Sequence, residues 1–125
     1  MSESLILTTG VYDLIKDHVK RRKATKEQEE ILTDALRHAT QVLRRDLPEN
    51  VVSIDCHVKI KDLSTNQEIE GIFVAPDKAK VSKKKYSILS DMGLATIGKT
   101  VGETVHWPTN EGNKSYQILE AKHTL

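Results

Sequence analysis

Chemistry in this chain would have to come from a short roster of side chains, and their spacing argues against most of it. His18, His38, His57, His106 and His123 are scattered singly. Zinc needs ligands gathered by close His/Cys or His-x-x-x-His spacing, and two imidazoles meeting across a hairpin would leave it short. Cys56 is the only cysteine. It falls on the apolar side of an alternating segment, where a thiol lacks the electropositive, accessible setting of a nucleophile. Glu27 and Glu30 share a helix face, and oxygen ligands suit Mg²⁺, yet a helix dipole alone explains acids in the first turn. Neither a glycine-rich phosphate loop nor a Gly-x-Ser-x-Gly elbow occurs. The expectation is no catalytic residue, no metal and no cofactor, which leaves binding.

Two basic clusters are the strongest charge features. Lys20-Arg21-Arg22-Lys23 would touch nucleic acid or an acidic wall, although a solvated helix end accounts for the run equally well. Lys78, Lys80, Lys83, Lys84 and Lys85 form the second, with only Tyr86 beside them. Without an aromatic platform for stacking bases, that loop promises at most a weak nucleic-acid contact. Over the whole chain 19 basic and 18 acidic residues nearly cancel, so net charge favours neither nucleic acid nor a membrane. The lone cysteine implies no disulfide and no oxidising compartment. Met1-Ser2-Glu3-Ser4 carries an acid where a signal peptide is basic, and Leu5-Ile6-Leu7 is too short for a signal core or a span. A cytoplasmic protein without membrane contact is expected.

The elements that must position these groups divide the chain at about residue 48. Thr9 is placed to cap a first helix carrying Val11, Leu14, Ile15 and Val19 at helical spacing. It should end in the first basic cluster, where cations suit a helix C-terminus. Thr25-Lys26-Glu27-Gln28 fits a capping box for a second helix. Its stripe of Ile31, Leu32, Ala35, Leu36, Ala39, Val42 and Leu43 runs until Leu47-Pro48 stops it. A link of about two residues makes the helices antiparallel neighbours, with arms of roughly 20 Å and roughly 30 Å. Residues 1–48 therefore read as a short, coiled-coil-like helical hairpin.

From Val51 the period falls to two. Ile54, Cys56, Val58 and Ile60 alternate with polar residues, as in a half-buried antiparallel strand. Ser64-Thr65-Asn66 turns into a second strand through Ile69, Gly71, Phe73 and Ala75, ended by Pro76. A third strand is expected around Tyr86–Leu89. Ser90 or Asp91 then caps a short helix closed by Gly98. Thr104–Trp107 and Lys114–Ala121 complete about five strands, joined by the turn at Pro108–Gly112. Residues 49–125 thus read as an α+β domain, an antiparallel sheet with one short helix.

The segment from Ser90 to Val105 carries a resemblance. Its Ser90-Asp91-Met92 turn, Ile97-Gly98-Lys99, Val101-Gly102-Glu103 and His106-Trp107 resemble the C-terminal domain of the Gre/Rnk group, which includes the GreA/GreB-type transcription elongation factors. Val-Gly-acid and His-Trp most resemble the Rnk branch, regulators of nucleoside diphosphate kinase. The match extends loosely from Val51 to Leu119. It implies an FKBP-like domain that docks on RNA polymerase near its secondary channel, with the hairpin pointing into that channel. Ser90, Asp91 and Met92 occupy the positions of the family's polymerase-contacting turn, with Asp91 where the family usually has proline. The Gre hairpin is about twice as long and bears an Asp and a Glu at its tip that help hold a catalytic metal. Here the tip is Lys20, Arg21, Arg22 and Lys23, and lysines repel Mg²⁺.

The resulting expectation is an RNA-polymerase-binding regulator that does not stimulate transcript cleavage and is not itself an enzyme. RNA polymerase would be its partner, with weak nucleic-acid or DNA contact through the basic clusters. The chain would be a monomer or weak dimer. The competing readings are a Gre-like cleavage factor and a stand-alone FKBP-like scaffold or prolyl isomerase. The last sits poorly with one Phe, one Trp and three Tyr.

Overall fold

The computed structural model describes residues 5–123; Met1–Ser4, read above for signal character, lie outside them. The chain divides into two compact units, Met1–Leu47 and Pro48–Leu125.

In the first unit, Thr8 rather than Thr9 is the N-cap. Its Oγ1 accepts from the Val11 N–H at 3.3 Å, and α1 runs Thr9–Lys20. Both threonines suit a cap, but Thr8 belongs to a strand, β1 (Ile6–Thr8), and so already holds the extended backbone an N-cap needs. The capping box forms as expected. Gln28 N–H donates to Thr25 Oγ1 and Thr25 N–H to Gln28 Oε1, both at 3.1 Å, opening α2 (Lys26–His38).

This second helix is shorter than its apolar stripe suggests. Ala39 is already extended, and Thr40–Val42 form β2, parallel to β1 with Ile6 opposite Thr40 and Thr8 opposite Val42. Leu43 is 55% exposed and Arg44–Asp46 make a single 3₁₀ turn. The arms are therefore nearly equal, about 18 Å and about 20 Å, and the link is residues 21–25 rather than two.

The second unit is a five-stranded sheet in the order β5-β4-β3-β7-β6. The strands are β3 (Cys56–Asp62), β4 (Gln67–Val74), β5 (Lys85–Ser87), β6 (Thr104–Thr109) and β7 (Gly112–His123), and α3 (Asp91–Thr96) lies between β5 and β6 in the chain. Pairing is antiparallel except at β4–β5, where Ile72 faces Lys85 in parallel register. The alternation in β3 holds to its last residue: Cys56, Val58, Ile60 and Asp62 are all buried. Strand β3 begins two residues later than expected because Asp55 adopts positive φ. Pro108 lies inside β6, which tolerates it as an edge strand. The hairpin then closes through Asn110-Glu111 alone, with Thr109 opposite Gly112.

The core joins the inward side of the sheet to α3, through Phe73, Ile88, Leu94, Ile97, Trp107 and Ile118. Gly93 lets α3 settle this closely, since a Cβ there would strike the backbone of Ser87 and Ile88. Among the described residues no helix is long and apolar enough to cross a membrane.

Candidate functional site

The turn singled out by the sequence is built as follows. Ser90, not Asp91, is the N-cap of α3: its Oγ accepts from the Gly93 N–H at 3.2 Å and donates to the Ser87 carbonyl at 2.7 Å. Asp91 is released from capping and has another task. Its Oδ1 accepts from the indole N–H of Trp107 at 2.9 Å, and Trp107 is 2% exposed. Met92 is buried at 9%, so of the three turn residues Asp91 is exposed, Ser90 half-exposed and Met92 mostly part of the wall beneath.

That wall belongs to a groove of about 390 Å³, whose lining includes Asp62, Tyr86, Ser90, Asp91, Met92 and Tyr116, with Glu111 and Lys114 also contributing. Asp62 is buried at 6%. One of its oxygens accepts from the Ser64 N–H at 2.9 Å, and the other lies 3.7 Å from Lys114 Nζ. Burial first, then the carboxylates of Asp62 and Asp91, push the Tyr116 hydroxyl up to about 12. Tyr86 lies against Gly71: a Cβ at Gly71 would come within 2.5 Å of its ring. That glycine is what lets the tyrosine lie across the sheet.

Sequence reading named the turn but missed Asp62, Tyr86 and Tyr116. One signal was available. Asp62 occupies the inward phase set by Cys56, Val58 and Ile60, and a carboxylate on the apolar side of a strand calls for a partner or a site.

The hairpin tip is a different surface. Lys20, Arg21, Arg22 and Lys23 are all exposed. Arg21 forms an ion pair with Asp17 one turn back at 3.0 Å, and Arg22 turns the chain at φ 58. Glu27 and Glu30 are exposed, and Glu30 flanks an open concavity with Arg22, Lys26, Glu29, Asp34 and Arg37. Cations and acids alternate there, so the concavity is not a carboxylate cage. Among the described residues no three His, Cys, Asp or Glu side chains gather to hold a metal.

The remaining candidates have structural surroundings. His38 Nδ1 lies 3.0 Å from the Asp34 carbonyl, His106 Nδ1 2.7 Å from Ser115 Oγ, and His123 Nε2 2.8 Å from the Val51 carbonyl. His57 approaches Glu70 across the strand pair at 4.0 Å. Burial pushes the Cys56 thiol up, the opposite of activation. The second lysine cluster spans two 3₁₀ turns, Pro76–Lys78 and Val81–Lys83, and the first residue of β5, Lys85. In the Val101-Gly102-Glu103 motif, Glu103 Oε2 accepts from both the N–H and the hydroxyl of Thr100, at 2.6 and 2.9 Å. The acid of that motif fastens a turn.

Comparison with known proteins agrees with this architecture. Residues 47–123 match the family model described as transcription elongation factor, GreA/GreB, C-terminal. A transcription elongation factor GreA from Clostridium botulinum (strain Langeland) is 33% identical over 105 residues, covering 83% of this chain; the chain spans 66% of that relative's length. Another GreA, from Clostridium beijerinckii, is 30% identical over 124 residues, covering 95% of this chain and 78% of the relative. Among solved structures, a GreA/GreB elongation factor from Nitrosomonas europaea superposes with a TM-score of 0.71 over 98% of this chain and 100% of the other, at 21% identity. That last likeness fixes the fold. The chain belongs to the GreA/GreB family of transcription elongation factors.

Proposed function

We propose that this protein is a transcription regulator that binds RNA polymerase near its secondary channel, chiefly through the β-unit, and does not stimulate transcript cleavage. The observation that carries the reading is the family match across 47–123, together with the position of the matched turn, Ser90–Met92, along a built groove. Against cleavage stands the tip. Four exposed cations occupy the end of the hairpin, where a second Mg²⁺ would need oxygen ligands. The protein binds and is not itself an enzyme, and such a role places it in the cytoplasm.

A pull-down of core RNA polymerase by the full chain, challenged with a Gre factor, tests the binding. Capture of polymerase that a Gre factor reverses supports the reading, and no capture removes it. Adding the chain to a backtracked polymerase complex tests the second half. Mg²⁺-dependent cleavage that disappears in a Glu27→Ala, Glu30→Ala variant would reinstate the Gre-like alternative.

A further inference from the structure

The groove in the β-unit gathers three carboxylates against one ammonium along its lining. Tyr116 is 4% exposed and lines it. Among the described residues its hydroxyl finds no hydrogen-bond partner, yet every fully enclosed side-chain nitrogen or oxygen has one. The hydroxyl therefore opens onto the groove. Asp62, Asp91 and Glu111 bring three carboxylates to the same lining and Lys114 a single ammonium. Burial first, and then the carboxylates of Asp62 and Asp91, raise the Tyr116 hydroxyl to about 12, so both acids lie near enough for their negative potential to reach it. The Tyr86 ring, resting on Gly71, adds an aromatic surface.

We propose that this groove receives the guanidinium of an arginine side chain presented by a protein partner, with Asp62 and Asp91 as its counter-ions, the Tyr116 hydroxyl as an acceptor and the Tyr86 ring as a stacking surface. The proposal rests on the reading of the β-unit as a docking module and names what it docks. A guanidinium offers five donors in a planar fork that matches carboxylates and stacks on aromatic rings. A phosphate or carboxylate ligand would be repelled by three acids. An apolar ligand would strip water from Asp62 and Asp91 and return nothing. At about 390 Å³ the groove lies at the lower end of ligand-sized pockets, suited to one side chain and its flanking backbone.

The test uses the ¹⁵N-labelled full chain titrated with Nα-acetyl-arginine N-methylamide, alongside the citrulline and lysine counterparts. Trp107 is the only tryptophan, and its indole N–H donates to Asp91, so its single side-chain signal reports on the groove. The arginine probe should shift that signal and the amides of Ser90–Gly93 saturably. Citrulline, of the same shape without the charge, should not, and lysine should bind more weakly.

Asp62→Asn and Asp91→Asn keep an oxygen for Ser64 and Trp107, and each should weaken the arginine probe about tenfold. Lys114→Ala removes the internal rival and should tighten binding about threefold. A merely structural role for Lys114 would not produce that gain. Absence of a saturable shift, equal shifts from citrulline or lysine, or indifference to both Asn variants would overturn the proposal. A chain that binds arginine but captures no polymerase keeps the groove and removes the polymerase reading. One that captures polymerase and ignores arginine removes the groove alone.

Discussion

The hairpin tip and the β-unit groove are both rich in charge, but they hold it by opposite means. At the tip the fastenings described above are local: Thr25 with Gln28, and Arg21 with Asp17. In the groove the fastenings cross the chain: Asp91 to Trp107, Asp62 to Lys114, and Gly71 beneath Tyr86. Local fastenings give exposed side chains that can be exchanged with little strain. Long-range ones give a surface whose shape depends on the whole sheet. The tip is therefore suited to long-range attraction and the groove to selecting one chemical group.

Two glycines should separate the units most sharply. Gly93→Ala places a Cβ against the Ile88 and Ser87 backbone, which can yield only if α3 lifts from β5. Overpacking of this kind costs about 1–3 kcal/mol, and the groove wall at Met92 would move with the helix. Gly10→Ala in α1 meets nothing within 4 Å and should stabilise the hairpin by about 0.5–1 kcal/mol through helix propensity. Urea midpoints measure both. Equal and small effects would mean that α3 packs as loosely as a surface helix.

Next in size is Asp91. Asp91→Lys strands the indole N–H of a side chain that is 2% exposed, and an unsatisfied buried donor costs about 1–3 kcal/mol. Lower melting and red-shifted Trp107 emission are expected, together with weaker polymerase binding. Asp91→Asn keeps the acceptor and should restore melting. Loss of polymerase binding in the Asn variant at wild-type stability would isolate the charge as the contact. Unchanged binding in both variants would leave Asp91 as a tether for Trp107.

A third effect emerges only at high pH. Tyr116 ionises at about 12 in the fold against 10.0 for an ordinary tyrosine. Because the folded value is the higher one, the unfolded chain loses its proton first. The stability contribution is whole below pH 10 and drains away as pH rises towards 12. Absorbance of tyrosinate should show one late-titrating tyrosine that Tyr116→Phe removes and that Asp62→Asn shifts downward. An unchanged Tyr116 titration in the Asp62→Asn variant would mean that this carboxylate does not act on the hydroxyl.

Much of the β-unit was legible because one physical signal, burial of alternate residues, repeats over enough positions to be unambiguous in Cys56–Ile60. The end of α2 was not. Leu36, Ala39, Val42 and Leu43 fit helical spacing, yet so short a stretch is too little to separate a helix from a turn into a strand. The deciding partner, Ile6–Thr8, lies more than thirty residues earlier. The turn at Ser90–Met92 was singled out by resemblance, but its inner face was not. Asp91 capping its own helix and Asp91 holding Trp107 look identical in sequence, and only packing brings the indole to it. The groove was half written: Asp62 on the apolar phase of its strand is a visible anomaly, whereas the presence of Tyr86 and Tyr116 in one lining depends on the strand order β5-β4-β3-β7.

The smallest effect per residue belongs to the tip, and it tests the other half of the comparison. If the β-unit docks on polymerase with the hairpin directed into the channel, as the resemblance implies, arms of about 18–20 Å would reach only the outer part of a channel that a hairpin twice as long would fill. Lys20, Arg22 and Lys23 then face whatever lines that entrance, while Arg21 is already engaged with Asp17. Exposed ion pairs contribute about 0.2–1 kcal/mol each and are screened over about 10 Å at 0.1 M salt. Alanine at all four positions should therefore lower polymerase affinity at low salt, and the deficit should shrink as salt rises. Restoring Arg21 alone should recover less than restoring Arg22, because Asp17 competes for it. The groove variant Asp62→Asn should behave differently, since Asp62 is buried at 6%, buried pairs are screened less, and its deficit should persist into high salt. Matching salt profiles for the two variants would erase the distinction between a surface that attracts and one that selects. A four-alanine tip with undiminished affinity at low salt would leave the cluster as a solvated helix end.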